Sequence, residues 1–218
     1  MKKKLFSIVL VLMLIVSYLP TSVAASTSLS GKKICVDAGH GGSDTGAIGT
    51  LGLFNGTTTV YEKDFTLTFA LELAKELENK GAEVYMIRNN DTYVHVNDRW
   101  QRATAQNVNA YISLHFDWDG APNGILSMYG ATRPQDRSFS KMIHSGIMQQ
   151  VPYYNDRGVL DDTYSGMNSV AVLRYGGSYP RTLIEINNMD YSDMQGFELL
   201  IEATRFARGI SNGLENYF

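Results

Sequence analysis

The chain has one cysteine among its 218 residues, so it cannot form an internal disulfide. That residue, Cys35, lies in the apolar stretch Lys33-Ile34-Cys35-Val36 and reads as a small buried core side chain. Five prolines are scattered, and no Pro/Ser-rich linker divides the chain. Neither sign of charge dominates: 19 Lys and Arg stand against 22 Asp and Glu, a formal net charge of −3. There is no basic stripe, which argues against a nucleic-acid partner. No apolar run reaches the roughly 20 residues that a membrane span needs, because Leu5–Val16 breaks at Ser17 and Pro20. No repeat with a period of about 20–50 residues is visible. What remains, 44% hydrophobic and 19% charged residues, is the composition of a globular domain large enough to fold without staples.

The first residues do not belong to that domain. Lys2, Lys3 and Lys4 precede the apolar run, and Val23-Ala24-Ala25 offers a small-residue cleavage site. This is the pattern of a secretory signal peptide over residues 1–25, with an uncleaved anchor as the alternative. Residues 26–218 then form a single exported domain, secreted or held at the cell wall or periplasm. Loss of the three lysines takes the formal charge from −3 to −6.

Hydrophobic periodicity predicts alternating strands and helices. Ile34–Ala38, Val84–Ile87, Ala110–Leu114, Ile125–Tyr129, Val170–Arg174 and Thr182–Ile186 read as strands. Asp64–Lys80 carries Leu67, Ala70, Leu71, Ala74 and Leu77 at helical spacing and stops at Gly81. A helix capped by Asn97, another around Phe139–Ile147 and a closing helix over Met194–Ile210 complete the pattern. The fold expected is α/β: a single three-layer domain whose mostly parallel mixed sheet has helices on both faces. In such sheets, sites gather beyond the carboxyl ends of the strands.

That rule selects residues. The first strand runs into Asp37-Ala38-Gly39-His40-Gly41-Gly42, a glycine-built corner that presents a histidine. It fits neither the dinucleotide fingerprint nor the phosphate loop, since Asp44 stands where a third glycine belongs and no Gly-Lys-Ser/Thr follows. The third strand ends Ser113-Leu114-His115-Phe116-Asp117, again delivering a histidine at the rim. Two imidazoles, a carboxylate and a water make a catalytic zinc site. Glu62 and Asp64, before the first helix, qualify for the carboxylate; Asp64 also suits the helix N-terminus. Glu185 interrupts the apolar strand Thr182–Ile186. Such a residue is either one partner of a buried ion pair, with Arg88 or Arg174, or a general base beside a metal.

These segments, taken in order, resemble the motifs of the zinc-dependent N-acetylmuramoyl-L-alanine amidases, a family that includes cell-wall autolysins and sporulation amidases. The motifs are Asp37–Gly42, Glu62-Lys63-Asp64, Ser113-Leu114-His115 and Leu183-Ile184-Glu185, and the resemblance spans about residues 32–217. It implies a mixed sheet of about six strands, zinc held by His40, Glu62 and His115, and Glu185 as the catalytic residue. It also implies peptidoglycan or its muropeptides as substrate, with an activating protein partner as a further option. Three departures surround the cleft. The Gly46–Tyr61 segment is longer than usual and reads as a flap, Asp117 replaces a frequent Asn, and Ile186-Asn187 replaces Gly-Phe.

Other residues take lesser roles. Asp37 reads either as orienting His40 through its second ring nitrogen or as making a helix or turn contact. Arg88 and Arg99 read as structural ion-pair partners, with substrate carboxylates as the alternative. His95 and His144 read as solvated. Trp118 suits stacking on a sugar or peptide, or a lid contact. Asp117 and Asp119 share one short loop and cannot form a glycosidase pair. The rival functions are a zinc peptidase acting on wall peptides and a catalytically inactive wall-binding domain.

Overall fold

In the strands, consecutive side chains point to opposite faces, so one apolar run can serve two layers. The computed structural model describes residues 28–53, 56–118, 120–164, 170–189 and 199–218. The leader and residues 194–198 of the expected closing helix lie outside them. Eight strands are described: β1 (Lys33–Ala38), β2 (Ile48–Leu53), β3 (Gly56–Tyr61), β4 (Glu83–Met86), β5 (Ala110–Asp117), β6 (Ile125–Tyr129), β7 (Asp156–Asp161) and β8 (Arg181–Asn188). Five helices accompany them: α1 (Glu62–Asn79), α2 (Val96–Ala105), α3 (Asp136–Gln150), α4 (Ala171–Arg174) and α5 (Leu199–Tyr217).

Six strands form one mixed sheet in the order β4-β1-β5-β8-β6-β7. β4, β1, β5 and β8 run parallel, β6 is antiparallel to β8, and β7 is parallel to β6. The three-layer α/β architecture expected from the sequence is therefore present. One face packs Ile34, Val36, Ala38, Ile112, Leu114, Phe116, Ile184 and Ile186 into a large core with residues of α1, α3 and α5. The other face places Cys35, Tyr111 and Leu183 against Ala103 of α2 and Val172 and Leu173 of α4, a thinner layer. Cys35 is fully buried and free, as its apolar surroundings suggested.

Four parts of the fold differ from the sequence reading. Val170–Arg174, expected as a strand, forms the short helix α4 after Val170, with Leu173 N–H donating to Val170 O. Four apolar residues and an arginine carry too little periodicity to separate strand from helix. β8, moreover, has β5 and β6 on its two edges, leaving no place there for another strand. The expected flap contains a second, two-stranded antiparallel sheet of β2 and β3. The edge strand β7 was not anticipated, because Asp156, Arg157 and Asp161 mask its Val159-Leu160 pair. α2 begins one residue before Asn97, and its N-cap is His95. Among the described residues, no helix is long and apolar enough to cross a membrane.

Candidate metal centre

The pleat of β1 and β5 sends Asp37, Ser113 and His115 to the thin face, opposite the large core. Asp37 is fully buried there and accepts hydrogen bonds from Arg99 Nη1 at 2.6 Å, Ser113 Oγ at 3.0 Å and the Tyr111 hydroxyl. Burial works against its charge, but Arg99 and the Tyr111 bond outweigh it, and its pKa is lowered. Arg99 also donates to Ala38 O (2.8 Å) and His40 O (2.7 Å), while Arg88 donates to Ala38 O (2.9 Å) and Gly39 O (2.8 Å). Two buried arginines thus clamp the backbone of the loop after β1. Both take structural roles, although Arg88 does so through carbonyls instead of a carboxylate.

This clamp holds His40 at φ +59, a conformation uncommon for a residue with a β-carbon. Its Nδ1 is 3.0 Å from Asp44 Oδ1 and its Nε2 is 3.1 Å from Glu62 Oε2. Asp44, not Asp37, therefore orients His40. Asp37 points under the sheet, where Arg99 and Tyr111 engage it.

Glu62, the first residue of α1, lies between the two histidines. Its Oε1 is 3.0 Å from His115 Nδ1 and accepts the Phe116 N–H at 3.0 Å, while Oε2 accepts the Ala47 N–H at 2.8 Å. The bonds to His115 and His40 overcome the effect of burial and hold the Glu62 pKa well below the carboxylate range. For His40, burial lowers the pKa, yet Glu62 and Asp44 raise it by more. Close packing demands glycine nearby. A β-carbon on Gly39 would lie 2.4 Å from His115 Cε1, and one on Gly46 would lie 2.4 Å from Glu62 Oε2.

Nitrogen and oxygen donors of His40, Glu62 and His115 lie within 4.8 Å of one another, so this group can hold a metal ion. Two imidazoles and one carboxylate are the donor set of a catalytic zinc site. Asp64 does not enter this group.

Glu185 stands beside it. In the parallel β5–β8 pair its Cα is the register partner of His115. Its carboxylate is buried, and Oε2 has no hydrogen-bond partner. Burial first, then the charges of Glu62 and Asp117, push its pKa well up, with Arg157 partly opposing them. Neither ion pair considered for Glu185 forms, since Arg88 serves the β1 loop and Arg174 binds Asp162. The three donors and Glu185 line one cavity of about 630 Å³, whose lining also includes Val94, Met128, Val172 and Leu183.

A match to the family described as N-acetylmuramoyl-L-alanine amidase covers residues 34–216. The chain belongs to that family. It is 31% identical over 189 residues to a sporulation-specific N-acetylmuramoyl-L-alanine amidase of Bacillus subtilis, covering 85% of this chain and 68% of that protein. It is 44% identical over 194 residues to a probable cell wall amidase, LytH, of Staphylococcus aureus, covering 87% of this chain and 60% of that protein. Among solved structures, an N-acetylmuramoyl-L-alanine amidase from Clostridium difficile superposes with a TM-score of 0.73 at 25% identity, covering 85% of this chain and 96% of the other.

In this amidase domain the structure also revises residues outside the metal group. His144, expected to be solvated, is buried on α3, bonded to Ser127 Oγ and Asp156 Oδ1 at 2.9 Å each, and ties the helix to β6 and β7. His95 is exposed but structured: its Nδ1 accepts the Asn97 N–H at 3.2 Å, and it lines the amidase cavity with Tyr93. Trp118 is 63% exposed at the cavity rim. Asp117 pairs with Arg157 at 3.0 Å, a partner 40 residues away in the sequence and invisible to local pattern. Asp119 lies outside the described residues. Asp44 carried one legible signal, a short acidic side chain four residues after a histidine in a glycine-rich corner.

Proposed function

We propose that residues 26–218 form an exported zinc hydrolase that cleaves the amide between the lactyl group of N-acetylmuramic acid and L-alanine in peptidoglycan. His40, Glu62 and His115 hold the metal, and Glu185 is the catalytic acid and base. The observation that carries this reading is the Glu62 carboxylate bridging two imidazoles, with a buried, unpartnered Glu185 carboxylate on the adjacent strand. Family membership supports the reaction, and its relatives, a probable cell wall amidase among them, support an exported site of action. The leader pattern at residues 1–25 fits the same destination.

Each side chain has a definable task. Asp44 accepts the Nδ1 proton of His40, which fixes the ring and would leave the Nε2 lone pair for a metal ion. Two backbone N–H groups, from Ala47 and Phe116, keep the Glu62 carboxylate oriented and ionised. When bound, zinc polarises a carbonyl oxygen and lowers the pKa of a coordinated water to about 7. Glu185 takes a proton from the attacking water and returns it to the departing alanine nitrogen. Its raised pKa suits the donating half of that cycle. With a cation held by His40, Glu62 and His115, the Glu62 charge that helps raise it would be offset, which would suit the accepting half. No covalent intermediate with the protein is required, and buried Cys35 stays outside the chemistry.

Muropeptide mass spectrometry on the zinc-loaded protein tests this. The expected products are muramic acid without peptide and peptides with a new N-terminal alanine. A new amine on any other residue identifies the peptidase instead, and bound zinc without turnover identifies the inactive wall-binding domain.

A further inference from the structure

The cleft is rich in acids and short of free donors. Asp44, Glu62, Asp117 and Glu185 all line it. Its one arginine, Arg99, is consumed by Asp37 and the carbonyls of Ala38, His40 and Val94. Among the described residues of the cavity wall and outside the His40, Glu62 and His115 group, the side-chain donors left without a protein acceptor are the Tyr93 hydroxyl, the His95 ring and the Trp118 indole.

Tyr93 and His95 differ from Trp118 in being a matched pair on a braced segment. Val94 between them is 4% exposed and turns inward, while its neighbours on either side turn out. Arg99 Nε donates to Val94 O at 3.2 Å, and the Gly42 backbone packs so closely that a β-carbon there would lie 2.6 Å from Tyr93 N. The helix cap fixes the chemistry of His95 as well. Because Nδ1 accepts the Asn97 N–H, the ring proton of the neutral imidazole resides on Nε2, the nitrogen that the cap leaves free. Two donors two residues apart in the same cavity wall suit an acceptor with two oxygens.

Resting on the amidase reading above, we propose that Tyr93 and His95 form a specificity subsite that binds a carboxylate on the peptide side of the scissile amide. The glycan side of that bond carries hydroxyl and acetamide groups but no ionised acid, so a carboxylate in this cleft belongs to the stem peptide. In a cleft lined by the carboxyl groups of Asp44, Glu62, Asp117 and Glu185, these donors decide whether an acidic peptide is accepted. A hydrogen bond to an ionised acceptor is stronger than one to its neutral amide, which gives the subsite a means of discrimination.

The test compares two soluble substrates, N-acetylmuramoyl-L-alanyl peptides whose second residue bears either a free α-carboxylate or its primary amide. The proteins are the zinc-loaded parent, His95→Ser and Tyr93→Phe. Serine keeps the helix cap but cannot reach the cleft, and phenylalanine removes only the hydroxyl. Zinc content and melting temperature confirm that each variant is folded. The expected result is a KM for the carboxylate substrate raised about tenfold or more by His95→Ser, and by less with Tyr93→Phe. kcat should stay within about twofold of the parent and the amide substrate should be affected far less. Equal losses on both substrates, or no loss on either in both variants, overturns the subsite. A zinc-loaded parent that cleaves neither substrate overturns the amidase reading instead.

Discussion

On one face of the six-stranded sheet, Ile34, Val36, Ile112, Leu114, Ile184 and Ile186 meet the apolar sides of α1, α3 and α5. On the other face, the same strands present Asp37, Ser113, His115 and Glu185 under the thinner cover of α2 and α4. Adjacent residues of one strand therefore do opposite work: Leu114 is sealed in the core while His115 faces Glu62. The strand's period of two makes this division possible without separate elements for stability and chemistry. The thick face contributes burial, which is cheap to make and tolerant of exchange. The thin face holds charges that must be satisfied individually.

Three substitutions along these strands sharpen the comparison, each expected to move one property and spare the other. The largest effect is expected for Glu185→Gln, which keeps shape but cannot accept a proton. Turnover should fall about 10²–10⁴-fold, with zinc content and melting temperature near those of the parent. An active but destabilised variant would return Glu185 to a structural role and shift attention to Asp117.

Asp37→Asn probes whether the thin face also bears structural load. It leaves Arg99 buried without its counter-charge, and breaking a buried pair costs about 3–5 kcal/mol. The pH dependence has a definite sign. Because the folded pKa of Asp37 is lowered, its stabilisation is complete above the ordinary carboxylate value of about 4 and is lost as pH falls through the folded value. The variant should lose stability at neutral pH and show a shallower decline of melting temperature on acidification. A parallel decline in both proteins would mean that Asp37 does not titrate with folding.

The smallest effect belongs to the thick face. Ile112→Val removes one methylene from a fully buried site and should cost about 0.5–1.5 kcal/mol. The rate per folded molecule should not change. A reduced rate at unchanged zinc content would show that the two faces are mechanically linked.

The features legible in the sequence were those written locally. A glycine corner after an apolar strand, a histidine at the end of another and a glutamate inside a third are each visible within a few residues, and the parallel sheet brings their ends together. The parts that were not legible depend on partners distant in the chain. His144 sits beside polar Lys141 and Ser145 on its helix, yet its bonds reach Ser127 and Asp156. Asp37 and Asp44 are both close to His40 in sequence, and only the pleat of β1, which turns Asp37 toward Arg99, decides between them. The run Val170–Arg174 was too short for its period to be read, and the availability of a sheet edge decided its form.

The proposed chemistry depends most on one donor set of His40, Glu62 and His115. Its most direct test is zinc stoichiometry measured on the parent and on His115→Ala, with hydrolysis followed on the same preparations. The parent should hold one zinc per chain, and the variant should lose both tight zinc binding and hydrolysis while remaining folded. Stoichiometric zinc retained by folded His115→Ala would contradict the assignment.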